Sequence, residues 1–218
     1  MQEAKGLFIT IEGLCGIRRG SFMTELQHAL IKLGTDVEKI HFVSTSKDIV
    51  HGSRYSSLIG TTSYCHSPMI SQYMLHLAIE EDILHNVVCP LLNKGHVVIC
   101  DQFHDSTHAK FVHGHQKQIA GNHNGQLFAG QEFPSIQPDL TFVLDIEPLQ
   151  ALESTLSVES NRFSDSASLE FLVRTRNGLI KRAEGFPDRI KLLDASLPIL
   201  DIVEQATAIV KNSIGQSS

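Results

Sequence analysis

An excess of positive charge is the first thing this chain lacks. Its 18 Lys and Arg stand against 24 Asp and Glu, giving a formal charge of −6 and a pI near 6.0. A protein that lives on nucleic-acid backbone or on anionic lipid needs a broad basic surface, so both classes of partner are disfavoured and at most a local basic pocket remains. There is no apolar run long enough to cross a bilayer, and "MQEAKG" leads straight into a short apolar stretch without the basic-then-apolar design of a signal segment. The expectation is a cytoplasmic chain without membrane attachment. Cys15, Cys65, Cys89 and Cys100 show no CxxC spacing, and a chain of this size needs no disulfide staples, so reduced thiols are expected. Internal repeats are missing, as is any Gly-, Pro- or Ser-rich linker that would divide the chain. With 218 residues, 42% of them hydrophobic, one sizeable core and a single domain spanning 1–218 are the expectation.

What is present is an alternation of two patterns. "GLFITIE", "HVVIC" and "LTFVLDI" are short, almost continuous apolar runs rich in β-branched residues, as expected of strands buried on both faces. Between them the pattern predicts a helix over 21–33 closed by Gly34, a long helix over about 68–93 closed by Gly95, and a third beginning near Asp105. "RIKLLDA" reads as a last strand, and "LPILDIVEQATAIVKNSI" as a closing amphipathic helix with Pro198 near its start. Alternating strands and helices specify an α/β fold, a mainly parallel sheet flanked by helices, whose ligands sit at the carboxyl ends of the strands. "ESTLSVESNRFSDSAS", dense in serine and poor in apolar residues, is expected to be a mobile surface excursion.

The stretch "ITIEGLCGIRRGSF" carries chemistry. A strand followed by glycines and a helix is the setting in which backbone N–H groups converge on phosphate oxygens, and the signature G-x-x-x-x-G-K-[ST] adds a mobile lysine charge. The candidate phosphate-binding positions are Gly13, Gly16, Arg18, Arg19, Gly20 and Ser21. Arg18 stands at the second signature glycine, Arg19 at the lysine and Gly20 at the metal-binding hydroxyl, with Ser21 next. Arg19 keeps the charge in a bulkier planar fork. At Arg18, a position that wants glycine geometry is expected to cost a side-chain-bearing residue about 1–2 kcal/mol and to bring bulk toward the ligand.

Further segments fall into one order: "IEG" at Ile11, "CPLLNKG" at Cys89, "ICDQFHDSTHA" at Ile99, "PDLTFVLDI" at Pro138, "NRFSD" at Asn161 and "LLDAS" at Leu192. In that order and spacing the chain resembles bacterial thymidylate kinase over nearly its whole length. The resemblance implies a P-loop nucleoside monophosphate kinase-like fold with a short lid around 153–166. It also implies ATP and Mg²⁺ as cofactors, and an ancestral transfer of the ATP γ-phosphate to dTMP on the way to dTTP. The ligand is then a nucleotide, and the family's dimers form through the long helix, where Met74, Leu77 and Leu84 offer an apolar face, with core packing as the alternative.

The same alignment shows departures. The arginine of the family's R-E-P-G-G segment is Phe42, the arginine of the long helix is Glu80, the arginine of D-R-[FY] is Gln102, and the phosphate-loop aspartate is Cys15. The lid reaches only Arg162, with Asn161 in place of its aspartate. Phosphoryl transfer relies on cations placed around the phosphates, and a lost oxyanion-type donor costs roughly 2–4 kcal/mol. Several losses, discounted to roughly 5 kcal/mol in all, would slow transfer by three to four powers of ten, so turnover is expected to be weak or absent.

Among the surviving positions, the resemblance gives catalytic roles to Arg19, Asp101 and Arg162. Asp101 would order Mg²⁺ through water or cap the next helix. Glu12 would accept from a ribose hydroxyl or be a solvated carboxylate. Arg54 would hold the acceptor phosphate or form a surface ion pair, and His76 would stack on the base or be a core histidine. Gln102 and Ser106 complete the acceptor side, Ser106 as a helix-start serine. Arg174 and Arg176 read as solvated helix charges. Of the 12 histidines, His104 and His108 lie four apart on one helix face, with His113 and His115 beyond; such imidazoles can share Zn²⁺ or Ni²⁺, yet supporting ligands are undefined and no metal site is assigned.

Overall fold

The structure, a computed structural model, describes residues 6–14, 16–44, 66–115, 134–156 and 168–215. Arg54, Cys15, Cys65, Asn161, Arg162 and most of the serine-dense segment lie outside the described residues. Five strands form one sheet: β1 (Leu7–Gly13), β2 (Ile40–Ser44), β3 (Val97–Asp101), β4 (Leu140–Asp145) and β5 (Ile190–Asp194), in the order β2-β3-β1-β4-β5 and parallel throughout. β1 is central. Its side chains alternate between two apolar layers, Ile9 and Ile11 on one face and Phe8 on the other. This burial on both faces is why a β-branched run without polar alternation specifies an interior parallel strand.

Helices among the described residues flank the sheet: α1 (Gly16–Lys32), α2 (Met69–Ile83), α3 (His104–His108), α4 (Pro148–Leu156), α5 (Leu169–Gly185) and α6 (Ile199–Gly215). Phe22 and Leu26 of α1 and Ile202 and Ala206 of α6 close the first layer over Ile9, Ile11 and Phe142, and Ile79 and Ile83 of α2 close the second over Phe8 and Val98. Leu77 and Leu84 are core, so core packing accounts for both, and of the three apolar residues on the long helix Met74 alone is exposed, at 50%.

The long helix is not regular. After α2 it passes through a π-helical segment, Leu84–Val88, into a last turn, Cys89–Leu92, that contains Pro90. Proline has no N–H and its ring collides with the carbonyl one turn earlier; widening the helix just before Pro90 absorbs the defect without breaking it. A second π-helical segment, Ala109–Gly114, extends α3 and packs along α5. There Gly178 is required by proximity, since a Cβ on it would lie 2.6 Å from the His113 ring.

α1 starts five residues earlier than its apolar pattern indicates. It begins at Gly16, so Arg18, Arg19 and Gly20 are helical and not part of an extended loop. The glycine-geometry cost expected at Arg18 does not arise: among the described residues Gln102 is the one non-glycine with positive φ. The early start puts the N-terminus of α1 close behind Gly13, whose φ of +139° and 2.7 Å approach of a hypothetical Cβ to the Leu144 carbonyl do require glycine.

The topology fixes where a ligand would go. From β1 the chain travels through α1 to β2 on one side of the sheet, and from β3 it travels through α3 to β4 on the other. β1 and β3 are neighbours with Ile11 opposite Asp101, so the crevice between their diverging carboxyl ends is the switch point of the sheet.

Candidate phosphate crevice

Arg19 spans this crevice. Its Nη1 donates to the carbonyl of Gly13 at the end of β1 (2.7 Å), and its Nε donates to Asp101 Oδ1 at the end of β3 (2.6 Å). The guanidinium side chain is 8% exposed and the carboxylate 28%. Asp101 does not cap α3, whose N-cap is Phe103 with no side-chain cap. Arg18 leaves the crevice altogether. Its Nη2 donates to the carbonyls of Ala195 and Leu197 (2.6 Å to the latter) in the turn between β5 and α6, so the bulk expected over the phosphate site is directed away from it. Gly20 and Ser21 lie on the exposed side of α1.

Glu12 is fully buried, which corrects both sequence readings of it. Its two oxygens accept from the Phe103 N–H at 3.1 and 3.2 Å, while the Gln102 N–H donates to Ile11 O, pinning the left-handed turn at Gln102 (φ 58°) that ends β3. Burial, reinforced by the Asp105 carboxylate, pushes Glu12 up to about 7 against the opposing pull of Ser106, the Phe103 N–H and Arg19.

The residues expected on the acceptor side come together on α2 and α3, in an arrangement different from the one foreseen. Glu80 is 1% exposed and faces no dianion: its Oε2 lies 3.0 Å from His104 Nδ1, and its Oε1 has no hydrogen-bond partner. His104 and His108 rings sit 6.2 Å apart, and His113 follows His108 at 5.7 Å. His104 thus spends one nitrogen on Glu80, and among the described residues no three His, Cys, Asp or Glu side chains are grouped to hold a metal. His76 packs its ring on Phe111 (5.1 Å), and burial followed by repulsion from Lys110 lowers it to about 3, so it stays neutral. Ser106 is buried inside the first turn of α3. Cys89 and Cys100 are free thiols.

The aspartate of "HDSTH" is engaged as well. Asp105, four residues after Asp101, is 1% exposed and receives two guanidinium forks: Arg182 (Nε 2.8 Å, Nη2 2.7 Å) and Arg189 (Nη1 2.7 Å, Nη2 3.1 Å), with Arg189 also donating to Thr141 Oγ1. Burial alone would raise this carboxyl; Arg189 and Arg182 outweigh it and hold it below the usual range. The sequence signal was slight, a pair of arginines seven apart across the end of a helix. Arg174 and Arg176 are not solvated charges either. Arg174 donates to Gly114 O and pairs with Glu170, and Arg176 forks onto Asp145 (2.7 and 2.9 Å) and reaches Glu147.

These contacts decide what the crevice can hold. A helix N-terminus behind a glycine turn, with a buried guanidinium at its side, suits a polyphosphate chain. Mg²⁺ characteristically takes one or two carboxylates plus phosphate oxygens. Asp101, whose Oδ1 accepts from Arg19 and whose side chain keeps 28% exposure, is the carboxylate that would hold the ion, directly or through water.

A family model described as thymidylate kinase matches residues 23–206. Thymidylate kinase of Bacillus cereus is 29% identical over 216 residues, covering 96% of this chain and 99% of its own. The Clostridium novyi enzyme is 29% identical over 214 residues, with 95% and 99% covered, and that of a Geobacillus species 27% identical over 221 residues, with 96% and 98% covered. The crystal structure of thymidylate kinase from Ehrlichia chaffeensis superposes with a TM-score of 0.68 at 18% identity over 95% of this chain and 99% of that one, a likeness of fold. With the family model spanning most of the sequence and the sheet order placing Gly13 and Asp101 on either side of one crevice, the chain belongs to the thymidylate kinase family.

Proposed function

We propose that this chain is a thymidylate kinase-like protein in which transfer of the ATP γ-phosphate to dTMP is weak or absent. The observation that carries the reading is the state of its cations. Each of the six described arginines is held by a group of the protein itself: Arg18 by two carbonyls, Arg19 by Asp101 and Gly13, Arg174 by Gly114 and Glu170, Arg176 by Asp145 and Glu147, and Arg182 and Arg189 by Asp105. Phosphoryl transfer needs preorganised cations free to meet charge as it develops. The family cofactors ATP and Mg²⁺ belong to this reading at the level of the family, and the matched family span begins at residue 23, beyond the altered loop.

The test is a coupled ADP-release assay with ATP, Mg²⁺ and a panel of nucleoside monophosphates. Turnover of dTMP at ordinary kinase rates, about 1–100 per second, defeats the proposal. A rate at least a thousandfold lower supports it. A second reading, a changed acceptor, is favoured by Glu80 Oε1: a buried oxygen without a donor suits a neutral or amino-bearing group and repels a phosphate. Turnover of another acceptor alone selects it. No turnover together with thermal stabilisation by ATP selects a nucleotide-binding pseudoenzyme.

A further inference from the structure

Arg19 and Asp101 do more than brace two strand ends. They meet at the switch point of the sheet, where the Arg19 Nε and the Asp101 Oδ1 occupy one another. The Arg19 Nε donates to Asp101 Oδ1 and Nη1 to the Gly13 carbonyl, so two of the guanidinium's donor atoms already point at oxygens of the crevice wall. A phosphate oxygen arriving at the α1 N-terminus is chemically the same kind of acceptor as Asp101 Oδ1. The pair is also only partly sealed, since Asp101 keeps 28% of its side chain exposed. Arg19 itself is buried, so the opening is on the carboxylate side: a half-buried carboxylate regains water when it lets go, which one sealed in the core cannot do.

We propose that Asp101 is a built-in competitor for anions at this crevice: it occupies Arg19 in the resting chain, and a polyphosphate binds by displacing the carboxylate from the guanidinium. The inference rests on reading the crevice as a phosphate site, and it concerns binding, so it stands or falls separately from whether dTMP is turned over. It carries an inverted sign. Where a strand-end aspartate serves a nucleotide through a metal ion, neutralising it weakens binding; here neutralising it frees Arg19 and strengthens binding. If the free guanidinium is populated about one part in ten, apparent affinity is lowered about tenfold, and removing the competitor restores it.

The experiment is titration calorimetry of the full chain with sodium tripolyphosphate in EDTA, so that no divalent cation contributes. Asp101→Asn and Asp101→Ala are expected to bind about tenfold more tightly than the unaltered chain. The gain should vanish when either is combined with Arg19→Met, which separates competition at Arg19 from a general loss of negative charge. Neutral variants that bind no tighter, or a gain that survives Arg19→Met, overturn the proposal. A readout without any change at Asp101 covers the case of variants that do not fold. In the unaltered chain the Arg19 Nε–H resonance, assigned by its loss in Arg19→Met, should move as tripolyphosphate is added. A resonance that stays in place overturns the proposal as well.

Discussion

Asp101 and Asp105 lie one helical turn apart in sequence, both bound by arginine, and they behave as opposites. Asp105 is sealed: two arginines and Thr141 surround a side chain only 2% exposed. Asp101 has a single arginine and a partly open face. The difference follows from the sheet. Asp101 is the last residue of β3, at the rim where strands end and ligands enter, while the left-handed turn at Gln102 swings Asp105 under α5 and the start of β5. The same kind of ion pair is a fixture in one place and an exchangeable contact in the other, and what decides is how much water the carboxylate gave up and how many guanidinium groups hold it.

The largest test of this contrast is Asp105→Asn. It leaves Arg182 and Arg189 largely buried without a counter-charge, and urea denaturation should report a loss of about 3–5 kcal/mol. The Asp105 carboxyl is held below its unfolded value, so its contribution is present at neutral pH and lost as pH falls through the folded value.

Glu12, which feels the Asp105 carboxylate, has the reverse sign. Its folded value, about 7, lies above the ordinary carboxyl value of 4.5, so between those values the folded chain holds a proton that the unfolded chain has released. Stability from this group is complete below pH 4.5 and declines as pH rises to about 7. Glu12→Gln should flatten that decline, a difference of about 3 kcal/mol by pH 8 in stabilities from denaturation measured at both ends of the window.

Asp101→Asn should cost about 1–2 kcal/mol, less than Asp105→Asn, because it affects one arginine that keeps the Gly13 carbonyl, and the carboxylate lost is half-buried. A loss equal to that of Asp105→Asn would erase the distinction between fixture and exchangeable contact. Smallest of all, Arg176→Gln, which opens the Asp145 fork near the surface, should change stability by about 0.5–1 kcal/mol, and by less as salt is raised.

Much of the framework was legible before any coordinates. The β-branched runs at β1, β3 and β4, the long helix closed by Gly95 and the amphipathic closing helix all appear where periodicity places them, because each buries a face that a local pattern encodes. β2 and α4 were not read from pattern: "IHFVS" is short and half polar, and "PLQALESTL" carries no capping signal. The start of α1 was misplaced because Gly16 and Gly20 are poor helix formers; the helix forms there with Phe22, Met23 and Leu26 buried against the sheet.

The candidate site divides in the same way. Gly13, Arg19 and Asp101 were found as residue types, and the crevice does bring them together. The partners of Glu12, Glu80, Arg18 and Arg176 are not legible, since each is chosen across tens of residues of chain, whereas the Arg174–Glu170 pair follows from helical spacing.

Sequence alone determined the α/β alternation, the parallel sheet, the glycine turn after β1 and the family to which they belong, because strand and helix periods and local turn chemistry are written residue by residue. Tertiary structure alone decided which charges meet: that Glu80 would be buried beside His104, that Asp105 would gather two arginines, and that Arg19 would turn back on Asp101. Electrostatic pairing depends on distance and on lost hydration, and neither exists until the chain has folded.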